Sequence, residues 1–134
     1  MNDKFSTGTF EDLIAYRLQR ANETLKEADY NAQGDYYNAA VNRLYYACYY
    51  AASALMVSNN LEAASHKGIK TMLGLKFIKT GLLEPKYGRI YQQLFENRQS
   101  GDYEDFVYCD KELYDMLRPQ AEDFVNKISE MLCP

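Results

Sequence analysis

Residues 39 to 57 read AAVNRLYYACYYAASALMV, a run in which only Asn42, Arg43 and Ser53 are strongly polar. A helix that is apolar on nearly every side has no face to offer solvent, so it belongs in the middle of a bundle with other helices packed around it. The flanking sequence supplies those helices. Phe10, Leu13, Ile14, Leu18, Ala21, Leu25 and Ala28 recur at helical spacing, behind a start at Thr9 and Asp12 that resembles a capping box. This first helix is expected to reach about Ala32 and stop at Gly34. Asp35 is then the expected N-cap of the apolar helix, its carboxylate accepting backbone N–H groups of the first turn.

Three further helices follow. Ser65 is placed to cap one carrying Ile69, Met72, Leu73 and Phe77, which the chain leaves at Gly81. After Pro85, Tyr87, Ile90, Tyr91, Leu94 and Phe95 fall at the offsets of one buried stripe, with Gly101 as the expected end. Residues 102 to 109 read as a connection. Asp110 is the expected cap of a last helix that turns Leu113, Met116, Leu117, Ala121, Phe124, Ile128 and Leu132 inward, kinked or broken at Pro119. No stretch alternates with period two. The expected fold is therefore all-α, an up-and-down bundle of about five helices. A chain of 134 residues suits one core, so residues 10–132 are assigned to a single domain behind a short polar segment, 1–9.

Composition narrows the function classes. No run approaches the roughly 18 apolar residues of a membrane span, and residues 1–9 lack the apolar core of a signal peptide, so a cytoplasmic protein without a membrane partner is expected. Three cysteines (Cys48, Cys109, Cys133) with no CxxC pair and a single histidine make no zinc site, so the thiols are expected to be reduced and no metal or cofactor is assigned. The net charge of −4 argues against nonspecific nucleic-acid coating. It conceals a polarised chain, however. Residues 66 to 98 hold seven Lys/Arg against two Asp/Glu, while residues 99 to 134 hold three against nine. The middle third is either a set of solvated helix faces or an anion-facing surface.

Several polar residues fall on faces that should be buried. Arg43 lies in the most apolar helix and must find an acidic or carbonyl partner or reach water. Arg98 follows Leu94 by four residues and Phe95 by three, which continues the inward stripe, and Asp102 one turn on could pair with it. His66 shares a stripe with Ile69 and Leu73; it reads either as a first-turn packing residue or, as the one side chain type with an ordinary pKa near neutrality, as a general base. Lys67 and Lys70 beside it would favour a phosphate at a helix N-terminus. The 13 tyrosines, four of them Tyr45, Tyr46, Tyr49 and Tyr50, read as core bodies and as material for a dimer interface rather than as a base-stacking platform.

The runs AAVNRLYYACYYAASALM, SHKGIKTMLGLKFIKTGLL, LFENRQSGDYEDF and AEDFV, in this order over about residues 10 to 130, resemble the HEPN domains of bacteria and archaea, in the small stand-alone subgroup often found beside minimal nucleotidyltransferases. The resemblance implies a helical bundle that forms homodimers, work on RNA or nucleotides, and in many members a toxin role neutralised by a nucleotidyltransferase antitoxin. Many such domains carry a metal-independent ribonuclease motif, an Arg followed four to six residues later by His. Arg98 is the best match to that Arg, but Gln99, Ser100, Gly101, Asp102 and Tyr103 follow it, and the His is missing. Two main readings stand. In the first, the module is non-catalytic or weakly active, and Arg43, His66, Lys67, Arg98, Asp102 and Tyr103 line a dimer cleft that binds RNA, a nucleotide or a partner protein. In the second, it is a metal-independent endoribonuclease whose catalytic groups are Arg98 with His66 or Tyr103 in place of the missing base. A third reading is a pure partner-binding subunit of a nucleotidyltransferase pair.

Overall fold

A computed structural model describes the side chains of residues 10–63, 65–98 and 108–132. Five α-helices are present, α1 (Asn2–Gln33), α2 (Tyr37–Ser58), α3 (His66–Leu73), α4 (Pro85–Tyr103) and α5 (Lys111–Leu132), and no strand is found among the described residues. The fold is all-α, as the periodicity requires.

The apolar helix α2 is the axis of the bundle. It packs against its hairpin partner α1 and also meets α5, α4 and α3. Its small residues permit this. Ala40, Ala47, Ala51, Ala52 and Ala54 are buried, as are Ala21 and Ala28 on α1 and Ala121 on α5. Small side chains let helix axes approach closely, and the larger Val41, Leu44, Tyr45 and Leu55 then fill the spaces between. The expected stripe of α4 (Tyr87, Ile90, Tyr91, Leu94, Phe95) is buried throughout, and of the α5 stripe Leu117, Ala121, Phe124 and Ile128 are buried while Leu113 and Leu132 are only partly so. Each fully buried large side chain contributes roughly 1.5–3 kcal/mol relative to exposure.

Several local expectations are corrected. The bounds of α1 reach back to Asn2, so Thr9 does not begin it. Phe10 is 62% exposed rather than inward. Asp35 is not an N-cap. It adopts a left-handed φ of 65° and closes α1: its N–H donates to the Ala32 carbonyl, and the Tyr36 N–H reaches the Asn31 carbonyl at 3.0 Å. Gly34 is needed for a different reason, since a Cβ there would stand 2.9 Å from the Tyr36 ring. The Asp35 carboxylate instead accepts a hydrogen bond from the Tyr37 hydroxyl.

The caps at Ser65 and Asp110 are as expected, with the Gly68 and Leu113 N–H groups donating to their side chains at 2.9 Å each. Gly81 leaves the third helix with φ 84°, but Gly74–Ile78 form a π-helical turn that periodicity did not announce. Gly101 does not end α4, whose bounds run to Tyr103. Pro119 neither breaks nor divides α5. Pro119 and Asp115, whose carbonyl loses its donor, both lie on the exposed side, where water can serve that carbonyl. Met116 is 48% exposed rather than inward. Cys48 and Cys109 are free and buried, and Cys133 lies outside the described residues.

One polar clamp joins the two ends of the chain. Arg118 on α5 donates Nε to Asp29 Oδ1 at 2.7 Å and Nη2 to Oδ2 at 3.0 Å, and the Tyr114 hydroxyl also donates to Asp29. The guanidinium holds the Asp29 carboxyl below the usual carboxylate range, against a smaller opposing effect of burial. A depressed carboxyl stabilises the fold above its unfolded pKa of about 4 and loses that contribution as pH falls through the lowered value. Arg118→Ala is therefore expected to cost about 1 kcal/mol near neutral pH, discounted because the Asp29 side chain is 43% exposed. Urea melts from pH 7 down to pH 2 check this: the two proteins converge in stability at the acid end.

Candidate functional site

The site is organised around one tyrosine. Tyr45 is fully buried in α2, and its hydroxyl lies 2.7 Å from Nδ1 of His66, the first residue of α3. Ser65 caps that helix start and so fixes the backbone that carries the imidazole. On another side of the same ring, the Arg98 guanidinium of α4 stands 5.0 Å from the Tyr45 centroid and 5.3 Å from that of Phe95. Three helices thus meet at one phenol, with an imidazole on its hydroxyl and a guanidinium against its ring.

Neighbouring rings extend the cluster. His66 lies 4.4 Å from the Tyr49 ring and 5.5 Å from the Tyr46 ring. Across Tyr46, the Arg43 guanidinium sits 4.8 Å from the centroid. Arg43 is half-buried and pairs with Glu27 of α1 at 3.5 Å, so its charge finds the acidic partner that its position demands. Arg20 repeats the pattern one turn away, over Tyr50 at 5.3 Å and paired with Glu23 and Glu27. Cation and aromatic face attract through the ring quadrupole, by about 0.5–1 kcal/mol at partly exposed sites.

Among the residues expected from sequence, then, His66 and Arg98 converge on Tyr45, and Arg43 joins them through Tyr46. Lys67 is exposed and enters none of these contacts. The side chains of Asp102 and Tyr103 lie outside the described residues. Sequence reasoning took Tyr45 as a core body, which it is, but missed that it joins the two candidate groups. It also missed Phe95 as a stacking surface for Arg98 and for Lys70, whose ammonium is 5.2 Å from the same ring and donates to Gln92 at 2.8 Å. The signal for Glu27 was legible in principle, since Arg20, Glu23 and Glu27 share one helix face.

Burial pushes the Tyr45 phenol up to about 12, against the opposing influence of the Tyr91 hydroxyl and the Arg98 charge. At neutral pH it is a hydrogen-bonding group and not a base. Among the described residues no three His, Cys, Asp or Glu side chains converge as metal ligands, and no helix is long and apolar enough to cross a membrane. The arrangement gathers a guanidinium and an imidazole around one ring.

A family model described as the HEPN domain matches residues 14–131. The chain belongs to the HEPN domain family. Relatives of this HEPN chain match it over most of its length. A UPF0332 protein of Thermotoga maritima is 34% identical over 133 residues, 98% of this chain and 96% of the relative. A protein of Methanocaldococcus jannaschii named as a candidate toxin is 33% identical over 115 residues, 86% of this chain and 85% of its own length. A second candidate toxin of the same organism is 26% identical over 115 residues, covering 86% of this chain and 78% of the relative.

Proposed function

We propose that this HEPN chain is the toxin-side module of a toxin–antitoxin-type pair, a cytoplasmic homodimer that binds RNA at the surface around His66 and Arg98 and cleaves it slowly or not at all. The observation that carries this reading is the convergence of those two groups, from different helices, on Tyr45. A guanidinium and an imidazole held on one rigid ring suit a phosphodiester, which takes charge-assisted hydrogen bonds from both. The candidate toxins among the relatives support the toxin side of the reading, and a nucleotidyltransferase is the partner that a toxin of this kind would meet. Slow or absent cleavage follows from the residues after Arg98. With no histidine in the four-to-six window, the ribose 2′-hydroxyl lacks its usual base, a loss of about 100-fold or more.

A second reading, a metal-independent endoribonuclease, is favoured by one observation. His66 stands beside the Arg98 ring stack and could act as the base that the motif lacks.

Incubation of the purified protein with total RNA in EDTA, with binding followed in parallel by fluorescence anisotropy, separates the two. Retention of intact RNA, weakened by Arg98→Ala, is expected. EDTA-resistant cleavage that both Arg98→Ala and His66→Ala abolish would establish the second reading instead. Absence of any RNA binding at high protein concentration overturns both.

A further inference from the structure

Tyr36 and Tyr108 expose 69% and 77% of their surface, and neither ring contacts another ring among the described residues. Both line one cleft of about 250 Å³ where α1 passes into α2, together with Asp35, Asn38 and Cys109. Tyr36 is held in place there. Its N–H donates to the Asn31 carbonyl at 3.0 Å, and its ring lies so close over Gly34 that a Cβ on that glycine would stand 2.9 Å from a ring carbon. Two aromatic side chains left bare beside a small hollow form a stacking surface without an occupant.

The polar groups of the cleft have fixed identities. The Cys109 N–H can only donate, so the Asn38 atom that meets it at 2.7 Å is the oxygen, and the NH₂ group is the remaining edge of that amide. Asp35 accepts from the Tyr37 hydroxyl at Oδ1, 3.0 Å away, and its other oxygen accepts nothing among the described residues. A donor and an anionic acceptor thus share a hollow with two rings, and no Lys or Arg lines it. A phosphate gains nothing in such a place, whereas a flat, uncharged ring with complementary edges does. Guanine fits best of the four bases. Only its Watson–Crick edge sets two N–H donors beside a carbonyl, so that a carboxylate can accept twice while an amide donates to O6.

We propose that this cleft receives one unpaired guanine of a bound RNA strand, stacked against Tyr36 and Tyr108, with Asp35 accepting from N1–H and N2–H and the Asn38 amide donating to O6. The strand as the source of the base rests on the RNA-binding reading above, which the cleft deepens by adding a base preference to phosphate contacts that read no sequence. Asn38 precedes Tyr45 by two turns of α2, about 10 Å, so a strand held at Arg98 reaches the cleft within a few nucleotides.

¹H–¹⁵N spectra of the full chain, titrated with GMP and separately with AMP, read the cleft through the Asn38 side-chain amide. GMP is expected to shift that signal saturably, and AMP, which shares the phosphate but lacks the paired donors, to bind at least about fivefold more weakly. Tyr108→Ala, at a position outside the core, is expected to weaken GMP about fivefold or more. Asp35→Asn keeps a residue that tolerates the left-handed turn and is expected to erase the preference for GMP over AMP. In anisotropy titrations, a uridine oligomer carrying one guanine is expected to bind about threefold to tenfold more tightly than the all-uridine strand, a gain that Asp35→Asn removes. An Asn38 signal that GMP leaves in place, or equal binding of AMP, overturns the inference. A preference for GMP with no advantage for the guanine-bearing strand overturns the RNA source and assigns the cleft to a free guanine nucleotide. A preference for GMP in a protein that binds neither strand defeats the function proposed above and leaves the base site standing.

Discussion

Tyr45→Ala is expected to destabilise the chain by about 3–5 kcal/mol, the loss seen when a large aromatic side chain is cut out of a packed core. Tyr45 has 0% of its surface exposed, and its ring meets those of Tyr46, Tyr49, His66, Tyr91 and Phe95 as well as the Arg98 guanidinium. Those neighbours come from α2, α3 and α4, so they cannot collapse into the cavity together without moving three helices. A domain with about 5–15 kcal/mol in total keeps little after such a loss, and the melting temperature is expected to fall by about 10–20 °C. Tyr45→Phe retains the ring and gives up only a hydroxyl bond, for about 1 kcal/mol. Urea and thermal melts of both variants make the comparison. A Tyr45→Ala cost under about 1 kcal/mol would mean that the ring is not the joint between these helices.

The same residue shows what could be read from the chain alone. That α2 is central follows from composition, because a helix without a polar face has one place to go. The buried stripes of α4 and α5 follow from spacing, and Ser65 and Asp110 follow from local chemistry, since an N-cap bond spans only three residues. The misreadings cluster where two local rules compete. At Gly34 and Asp35, glycine and aspartate can each take the left-handed position that closes α1. Aspartate takes it, and glycine is kept for the approach of the Tyr36 ring. At Pro119 the rule against proline inside a helix loses to a stripe that runs from Leu117 to Ile128 without interruption. Arg98 and His66 were each legible as polar residues on inward faces. Their meeting was not, because it depends on α3 and α4 both docking against one turn of α2, a contact between residues 21 and 53 positions apart. No periodicity within one helix encodes such a distance.

Arg98→Ala is expected to weaken RNA binding by about 10- to 100-fold, and the pattern around it distinguishes a stacked guanidinium from a general cation. Loss of one phosphate contact lowers the slope of log affinity against log salt by about 0.7 for a single strand. Arg98→Lys is expected to restore the salt slope but little of the affinity. An ammonium cannot lie flat against the Tyr45 and Phe95 rings, nor offer two parallel N–H donors to a phosphate. His66→Ala should cost less, about threefold to tenfold, and the double variant should lose less than the product of the two single losses. Groups held on one ring fail to act independently once either is gone, and coupling of about 0.5 kcal/mol or more is the usual mark of such contact. Anisotropy titrations of the wild type and the four variants at several salt concentrations supply every quantity. Full recovery of affinity by lysine would reduce Arg98 to a point charge, and strictly multiplicative losses would place His66 and Arg98 in separate sites, which the geometry at Tyr45 argues against.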